Sequence, residues 1–302
     1  MVLSALALAN GVGAFSAFKS GIGARALGMG GAFVAVADDA TAVMWNPAGL
    51  AQIADTRIAG MTTDLYGLGV AHQYVGAVTT FANLGIGLAW ERGGVSSGTE
   101  ELTDEDGDPI LPIELQESKI VGTLATNIMD IALAGVNLKY YMANIGGANS
   151  ATGIGFDLGV LVNLGDIFVL GVNAADLGST KVTWESGAAD MVSGLYKAGV
   201  AMKLVDGKLI LAADMDFVGT DLGDAHLGIE FQIVDALALR AGVVLTDAFQ
   251  NAVFGVGAGI NVAGLYIDAA YILEGALGNT LLLSAEFSLG DLLGTEEVVG
   301  VE

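Results

Sequence analysis

Residues 208–217 read KLILAADMDF, and every odd-numbered position among them is apolar. Three of the even-numbered positions, Lys208, Asp214 and Asp216, are charged. Because successive side chains of a β-strand point to opposite faces, this stretch predicts a strand with one apolar and one polar face. The stretch that begins at Ala225 repeats the pattern, as expected of a second strand in the same sheet.

The same alternation recurs in fourteen stretches between about Arg57 and Leu289. Connections after even-numbered stretches are minimal, such as Asp206-Gly207, whereas two of those after odd-numbered stretches span about 93–116 and 175–194. This asymmetry predicts an all-β fold, a transmembrane antiparallel β-barrel of about 14 strands, with short periplasmic turns and longer outer loops. The predicted strands are 56–64, 70–81, 83–92, 117–126, 131–142, 152–163, 166–174, 195–205, 208–217, 225–233, 236–246, 250–262, 264–273 and 279–289.

The composition agrees with a membrane protein. Hydrophobic residues make up 53% of the chain and the mean hydropathy is +0.63. No run of about 18 apolar residues is present to form a spanning helix, so the apolar surface must belong to strands. Glycine, at 45 of 302 residues, suits tightly packed strands, and all three prolines fall outside the predicted strands. We therefore expect the protein in the bacterial outer membrane, in contact with its lipid.

Aromatic side chains fall at two levels of the apolar face, as the interfacial girdles of membrane barrels do. The alternative architecture is a soluble β-sandwich or solenoid, whose outer face would carry more charge than these small, glycine-rich polar faces offer. The predicted outer-rim residues are Trp90, Tyr140, Phe217 and Tyr271, and the inner-rim residues are Phe168, Phe231 and Phe287.

Charge and cysteine content exclude several function classes. The net charge of −23 opposes binding to nucleic acid. Without cysteine, thiolate metal sites and cysteine nucleophiles are impossible. His72 and His226 lie on separate predicted strands with no serine elbow beside them, which argues against an enzyme. We predict no metal and no other cofactor.

Two further motifs are weak. The pattern Gly21-x-Gly23-x-x-Ala26 resembles a dinucleotide fingerprint, but no strand precedes it and no βαβ unit follows. The acidic run 104–108 offers oxygen ligands for calcium, yet position 115, where the bidentate glutamate of a calcium loop would stand, is Leu115. A solvated outer loop is the simpler interpretation of this run.

The chain divides into four predicted segments. Residues 1–18 carry an apolar core followed by small residues, as the end of a signal peptide does, and a short strand of the mature protein is the alternative. Residues 19–54 do not alternate and are predicted to form a plug, or hatch. Residues 55–290 form the barrel, and residues 291–302 form an acidic C-terminal tail.

The most distinctive segment is 21–53, GIGARALGMGGAFVAVADDATAVMWNPAGLAQI. Asp38 or Asp39 is placed to cap a short helix that runs through Trp45, and Asn46-Pro47 would end it, since a residue before proline avoids helical dihedrals. The glycines permit close backbone turns. The residues assigned to this plug motif are Gly28, Gly30, Gly31, Asp38, Asp39, Trp45, Asn46, Pro47 and Ala48.

Three runs in this segment carry a family resemblance: Gly-Ala-Arg-Ala-Leu-Gly-Met-Gly-Gly-Ala-Phe, Ala-Asp-Asp-Ala and Trp-Asn-Pro-Ala-Gly-Leu. They resemble the N-terminus of PorV/PorQ-type outer-membrane proteins, which look like members of the wider FadL-like long-chain fatty-acid transporter superfamily. The resemblance covers about 35 residues. It implies a 14-stranded barrel whose N-terminal segment folds inward as a plug, with hydrophobic solutes or secretion partners as clients.

Two functions follow as alternatives. The first is a passive channel for small hydrophobic compounds such as fatty acids, gated by the plug; the second is a PorV-like adaptor that holds secreted or surface proteins without moving any solute. Charged residues on the predicted lumen face either brace the barrel or line a selectivity path. These lumen residues are Lys139, Lys197, Lys203, Asp214, Asp216, His226, Glu230, Arg240, Asp268 and Glu286.

Overall fold

A computed structural model of the protein describes residues 15–95, 102–103, 109–110, 115–129, 131–146, 149–219, 221–246, 249–274 and 278–293. In this part of the chain, fourteen long antiparallel strands form a closed barrel, which confirms the predicted fold. Closure is made where the first strand pairs with the last, from Arg57 opposite Ser288 to Thr63 opposite Leu282. The strands are β1 (Arg57–Leu65), β2 (Val70–Phe81), β3 (Leu84–Val95), β4 (Leu115–Met129), β5 (Ala132–Ile145), β6 (Asn149–Leu164), β7 (Phe168–Ala175), β8 (Leu195–Leu204), β9 (Leu209–Val218), β10 (Asp221–Val234), β11 (Leu237–Thr246), β12 (Asn251–Val262), β13 (Leu265–Leu273) and β14 (Asn279–Ser288).

The two ends of the barrel differ as the sequence predicted. Even-numbered strands end in tight turns, such as 82–83 and 263–264, and we call this the short-turn end. Odd-numbered strands end at the opposite end, which we call the long-loop end because it carries the two longest connections, 96–114 and 176–194. Tight turns here use left-handed residues, including Asn83 and Asp206, since a two-residue hairpin needs positive φ angles.

One long connection contains strands that the sequence analysis placed in a loop. Strands Thr180–Trp184 and Ala189–Val192 form a hairpin, and the first of them pairs with β6 from Ala151 to Gly153. The reason is a difference in length: β6 has 16 residues and β7 only 8. The hairpin therefore covers an edge of β6 that would otherwise be unpaired. A second, two-residue pair joins Leu102–Thr103 to Pro109–Ile110.

The barrel wall is apolar outside and polar inside. Outward side chains such as Leu88, Phe156 and Leu281 are exposed, whereas charged side chains such as Glu91 and Asp157 are buried in the lumen. This inversion of the soluble pattern is what a lipid-facing surface requires. Two residues of the predicted outer-rim girdle, Trp90 on β3 and Tyr140 on β5, lie at one level near the long-loop end, with Ile120 of β4 between them.

The N-terminal segment lies inside the barrel. It contains a 3₁₀ helix (Ser16–Ser20), α1 (Ala24–Gly28), α2 (Ala42–Trp45) and a second 3₁₀ helix (Pro47–Gln52). After β14 the chain ends its described part in α3 (Leu289–Leu293), so residues 294–302 of the predicted tail lie outside the described residues. None of the described helices has the length and apolarity needed to cross a membrane.

The lumen and its plug as the candidate functional site

The plug, residues 21–53, packs its backbone against glycines of the barrel wall. A methyl group on Gly171 of β7 would lie 2.5 Å from the Val34 carbonyl oxygen, and one on Gly255 of β12 would lie 2.7 Å from the Leu27 carbonyl oxygen. Only glycine allows two backbones to approach this closely. The high glycine content, attributed above to strand packing, therefore also serves the contact between wall and plug.

Side chains of the wall satisfy the backbone polar groups of the plug. The Oδ2 atom of Asp214 accepts hydrogen bonds from the backbone N–H groups of Phe33 and Val34, at 2.7 and 2.8 Å. The Ala40 N–H donates to Glu286 Oε2 at 2.7 Å, and the Ala40 carbonyl accepts from Tyr74 at 2.8 Å. Irregular backbone at membrane depth is stable only when protein groups satisfy it in this way.

Asn46 connects the plug to itself and to the wall. Its Nδ2 donates to the carbonyl oxygens of Val34 (2.9 Å) and of Val160 on β6 (3.2 Å), and its Oδ1 accepts from the Ala48 N–H at 3.2 Å. Asn46 ends α2 in an extended conformation, as predicted before proline. Pro47 then begins a second, 3₁₀ helix that the sequence analysis did not anticipate, so the chain does not turn directly into β1.

Neither Asp38 nor Asp39 caps α2 as the sequence analysis predicted. The residue before α2 is Thr41, and no side chain caps the helix. Asp39 instead accepts hydrogen bonds from the Thr41 N–H and hydroxyl, because it lies too far before the helix to reach its first N–H groups. Trp45, at the end of α2, donates its indole N–H to the Ile22 carbonyl at 2.8 Å and packs edge-on against Phe33.

Arg25 of the plug is the centre of an ion cluster near the short-turn end. Its guanidinium binds both carboxylate oxygens of Glu230 on β10, at 2.8 and 2.9 Å, and it also contacts Asp38 (2.5 Å) and Asp39 (3.1 Å). Burial alone would lower the pKa of Arg25, but Asp38 and Glu230 hold it well above its ordinary value. Sequence reasoning missed Arg25 as a site residue, although it is the one arginine of the plug.

The three predicted plug glycines have two different roles. Gly30 and Gly31 have φ angles of 65° and 74°, which side chains disfavour. Gly28 is not left-handed; a methyl group on it would lie 3.2 Å from the Cα of Gly257 on β12. The close turn and the close approach therefore fall on separate residues.

The remaining charged residues assigned to the lumen lie inside the barrel and mostly form ion pairs. Lys139 binds Asp157 and Asp176 at 2.6 Å each, and Lys197 binds Asp216 at 2.7 Å. These ion pairs connect nearby strands of the wall on its lumen side. Arg240 binds Glu230 and Asp268. His226 lies 3.3 Å from Asp216 and forms a hydrogen bond with the Gly30 carbonyl. Lys203 lines a cavity at the short-turn end.

A second cluster that the sequence analysis did not assign lies near the long-loop end. His72 Nε2 is 2.8 Å from Glu91 Oε1, and Lys119 Nζ is 2.8 Å from the other oxygen of the same carboxylate. Phe18 stacks on the His72 ring, and Lys119 lies 4.7 Å from the centre of the Phe18 ring. His72, Glu91 and Lys119 lie on three separate strands, and nothing local in the sequence links them.

A cavity of about 490 Å³ lies between the plug and the wall near the short-turn end. Its lining mixes charged side chains such as Arg25, Glu230 and Glu286 with apolar ones such as Met61 and Leu237. In the described part of the chain, no cluster of histidine and acidic side chains has the arrangement needed for a metal ion. The acidic run 104–108, weighed above as a calcium loop, lies outside the described residues.

Comparison with known proteins shows similarity at the level of structure. No protein-family model matches the sequence, and no curated protein matches it significantly. Among solved structures, the toluene transporter TodX of Pseudomonas putida superposes with a TM-score of 0.62 at 14% identity, covering 88% of this chain and 96% of that one. The chain has the fold of the FadL and TodX channels.

A FadL homologue of Pseudomonas aeruginosa gives a TM-score of 0.60 at 14% identity, with 87% of this chain and 97% of that one covered. A mutant of TodX, described as a monoaromatic hydrocarbon channel, gives 0.60 at 13% identity. The FadL-like part of the predicted resemblance is thus confirmed for the fold, and the barrel is of the outer-membrane type. The narrower PorV/PorQ-type label stays a prediction.

Proposed function

We propose that this protein is a passive outer-membrane channel for small hydrophobic compounds such as fatty acids or monoaromatic hydrocarbons, and that the plug is its gate. The observation that carries the proposal is the plug itself. Residues such as Phe33, Val36 and Ala42 are fully buried inside a barrel of the FadL and TodX fold. A lumen filled in this way conducts only if the plug rearranges.

The contacts of the plug suit a gate that can reseal. Its apolar side chains pack against small wall residues such as Ala212 and Ala270, so an apolar solute could replace part of that contact without exposing hydrophobic surface to water. The directional contacts between plug and wall are polar and include the bonds of Asp214 with the N–H groups of Phe33 and Val34 and of Glu230 with Arg25 near the short-turn end. These contacts would restore one closed arrangement after each passage.

A second function, the adaptor for secreted or surface proteins, is favoured by one specific observation. The 490 Å³ cavity contains several charged side chains, Arg25 and Glu230 among them, and such charges suit an apolar solute poorly. For an adaptor, the filled lumen would simply stiffen the barrel as a platform.

One experiment separates the two functions. The purified protein is reconstituted into liposomes, and uptake of a labelled long-chain fatty acid and of toluene is measured against empty liposomes and against liposomes holding heat-denatured protein. Uptake above both controls supports the channel. No uptake of either compound, together with a protein that co-purifies in stoichiometric amount from native membranes, would replace the channel with the adaptor.

A further inference from the structure

Phe15, the first described residue, is held inside the barrel near the long-loop end. Its side chain is 2% exposed and packs edge-on against Tyr141 of β5, with ring centres 4.9 Å apart. Its backbone N–H donates to Glu117 Oε1 of β4 at 2.7 Å. The predicted signal peptide, residues 1–18, therefore includes residues that lie within the barrel.

Glu117 is a buried carboxylate that lacks a cation among the described residues. Its exposed fraction is 7%, and the nearest lysine along its strand, Lys119, is paired with Glu91 instead. Burying a carboxylate is costly unless an opposite charge accompanies it. A single amide N–H is a weak substitute for that charge.

The backbone conformation of Phe15 is a second unusual feature at this place. Its φ angle is 62°, a left-handed conformation that a bulky aromatic residue rarely adopts. The steric cost of that conformation arises from the carbonyl group of the preceding residue. A residue with no preceding carbonyl does not carry this cost.

We infer that the bond between Ala14 and Phe15 is the processing site, and that the new α-ammonium group of Phe15 is the cation that pairs with Glu117. A signal peptidase adds water across this peptide bond, so that Ala14 leaves with a carboxylate and Phe15 gains the ammonium. Ala14 is the small residue required immediately before the cut, but Gly13 and Ser16 would serve equally by sequence. The position of Glu117 selects among them.

The pair has a structural role in the mature protein. Arg25 and Glu230 hold the plug near the short-turn end, and the ammonium of Phe15 with Glu117 would hold the chain that precedes the plug near the long-loop end. Processing thus adds an ion pair, absent from the unprocessed chain, to the contacts that already hold Phe15.

The first test is the N-terminus of the protein isolated from outer membranes, read by mass spectrometry after chemical labelling of free α-amines. Phe15 as the first residue supports the inference. Ala14, Ala17 or any other first residue would overturn it.

The second test uses Glu117→Gln in two refolded chains, one that starts at Phe15 and one that starts at Met1. Glutamine still accepts a hydrogen bond from an amide but carries no charge. The substitution should lower the urea midpoint of the chain that starts at Phe15 and should leave unchanged or raise that of the chain that starts at Met1. The same change in both chains would refute the ion pair. Glu185→Gln, at an exposed carboxylate of the hairpin, is the matched control and should move neither midpoint.

Discussion

Replacing Gly171 with alanine should push the plug away from the wall while leaving the barrel closed. The added methyl group would lie 2.5 Å from the Val34 carbonyl oxygen and 2.8 Å from the Cα of Ala35. To reach an ordinary contact, that oxygen must retreat by about 0.9 Å. The same oxygen accepts the hydrogen bond from Asn46, and the Val34 N–H donates to Asp214, so both bonds are disturbed.

The expected cost to the closed plug follows from these contacts. Overpacking of this kind costs about 1–3 kcal/mol. A change of that size shifts a two-state equilibrium by roughly 5- to 150-fold. The β7 strand itself gains from the substitution, because alanine loses less conformational freedom on folding than glycine. We therefore expect an intact barrel that opens more often.

Single-channel recording in planar bilayers measures this effect. Gly122→Ala is the matched control: Gly122 lies on β4, and a methyl group there meets no atom within 4 Å. Gly171→Ala should show a higher open probability than the wild type, and Gly122→Ala should not. If both variants conduct as the wild type does while both remain heat-modifiable barrels, the reasoning about the glycine wall is refuted.

Three further predictions concern the register, the ion cluster and pH. Ala213 faces lipid, so Ala213→Arg should cost about 2–4 kcal/mol in a lipid folding assay. Ala212 faces the packed plug, so Ala212→Arg should chiefly raise conductance. A larger folding cost for Ala212→Arg than for Ala213→Arg would contradict the assigned faces. Glu230→Gln should lower the stability by about 3–5 kcal/mol. Because Glu230 pairs with Arg25, the double variant Arg25→Gln/Glu230→Gln should lose less of its urea midpoint than the two single variants lose in sum, and additive losses would contradict the pairing. Burial raises the pKa of Glu274, which follows β13, from 4.5 to about 7. Between these two pH values the folded protein keeps a proton that the unfolded chain releases, so the stability should fall as the pH rises through this range. Glu274→Gln should flatten that slope in melting curves recorded from pH 4 to 8, and an unchanged slope would contradict the assignment.

Strand number and facing could be predicted because both are written in local alternation. Asp214 and Asp216 point inward and Leu211 outward, as the period of two requires. The hairpin from Thr180 to Val192 could not be predicted in this way, because its place depends on the free edge of β6 and not on its own pattern. The observed strands also begin or end a few residues away from the predicted limits, because pairing with a longer neighbouring strand lengthens a strand beyond its own alternating pattern.

The plug was recognisable as a segment, but its contacts were not. Asp214, Glu286 and Tyr74 satisfy part of its backbone. Such pairings join residues far apart in the chain, and their distances depend on how each strand is staggered against the next. One signal was available: an arginine among the small residues of the plug needs a buried partner.

The central claim is that a hydrophobic solute passes only when the plug moves, and a disulfide tether tests it most directly. The chain has no cysteine, and a methyl group on Gly28 or Gly257 would lie 3.2 or 3.3 Å from the Cα of the other residue. Their Cα atoms are therefore at most about 4.7 Å apart, at the short end of the range that a disulfide bridges. Fatty-acid uptake by proteoliposomes is measured for Gly28→Cys/Gly257→Cys before and after reduction, with each single variant as control. Uptake by the oxidised double variant should fall to the level of empty liposomes and return on reduction, and oxidation should leave uptake by the single variants unchanged. Equal uptake by the oxidised and reduced double variant would contradict the claim.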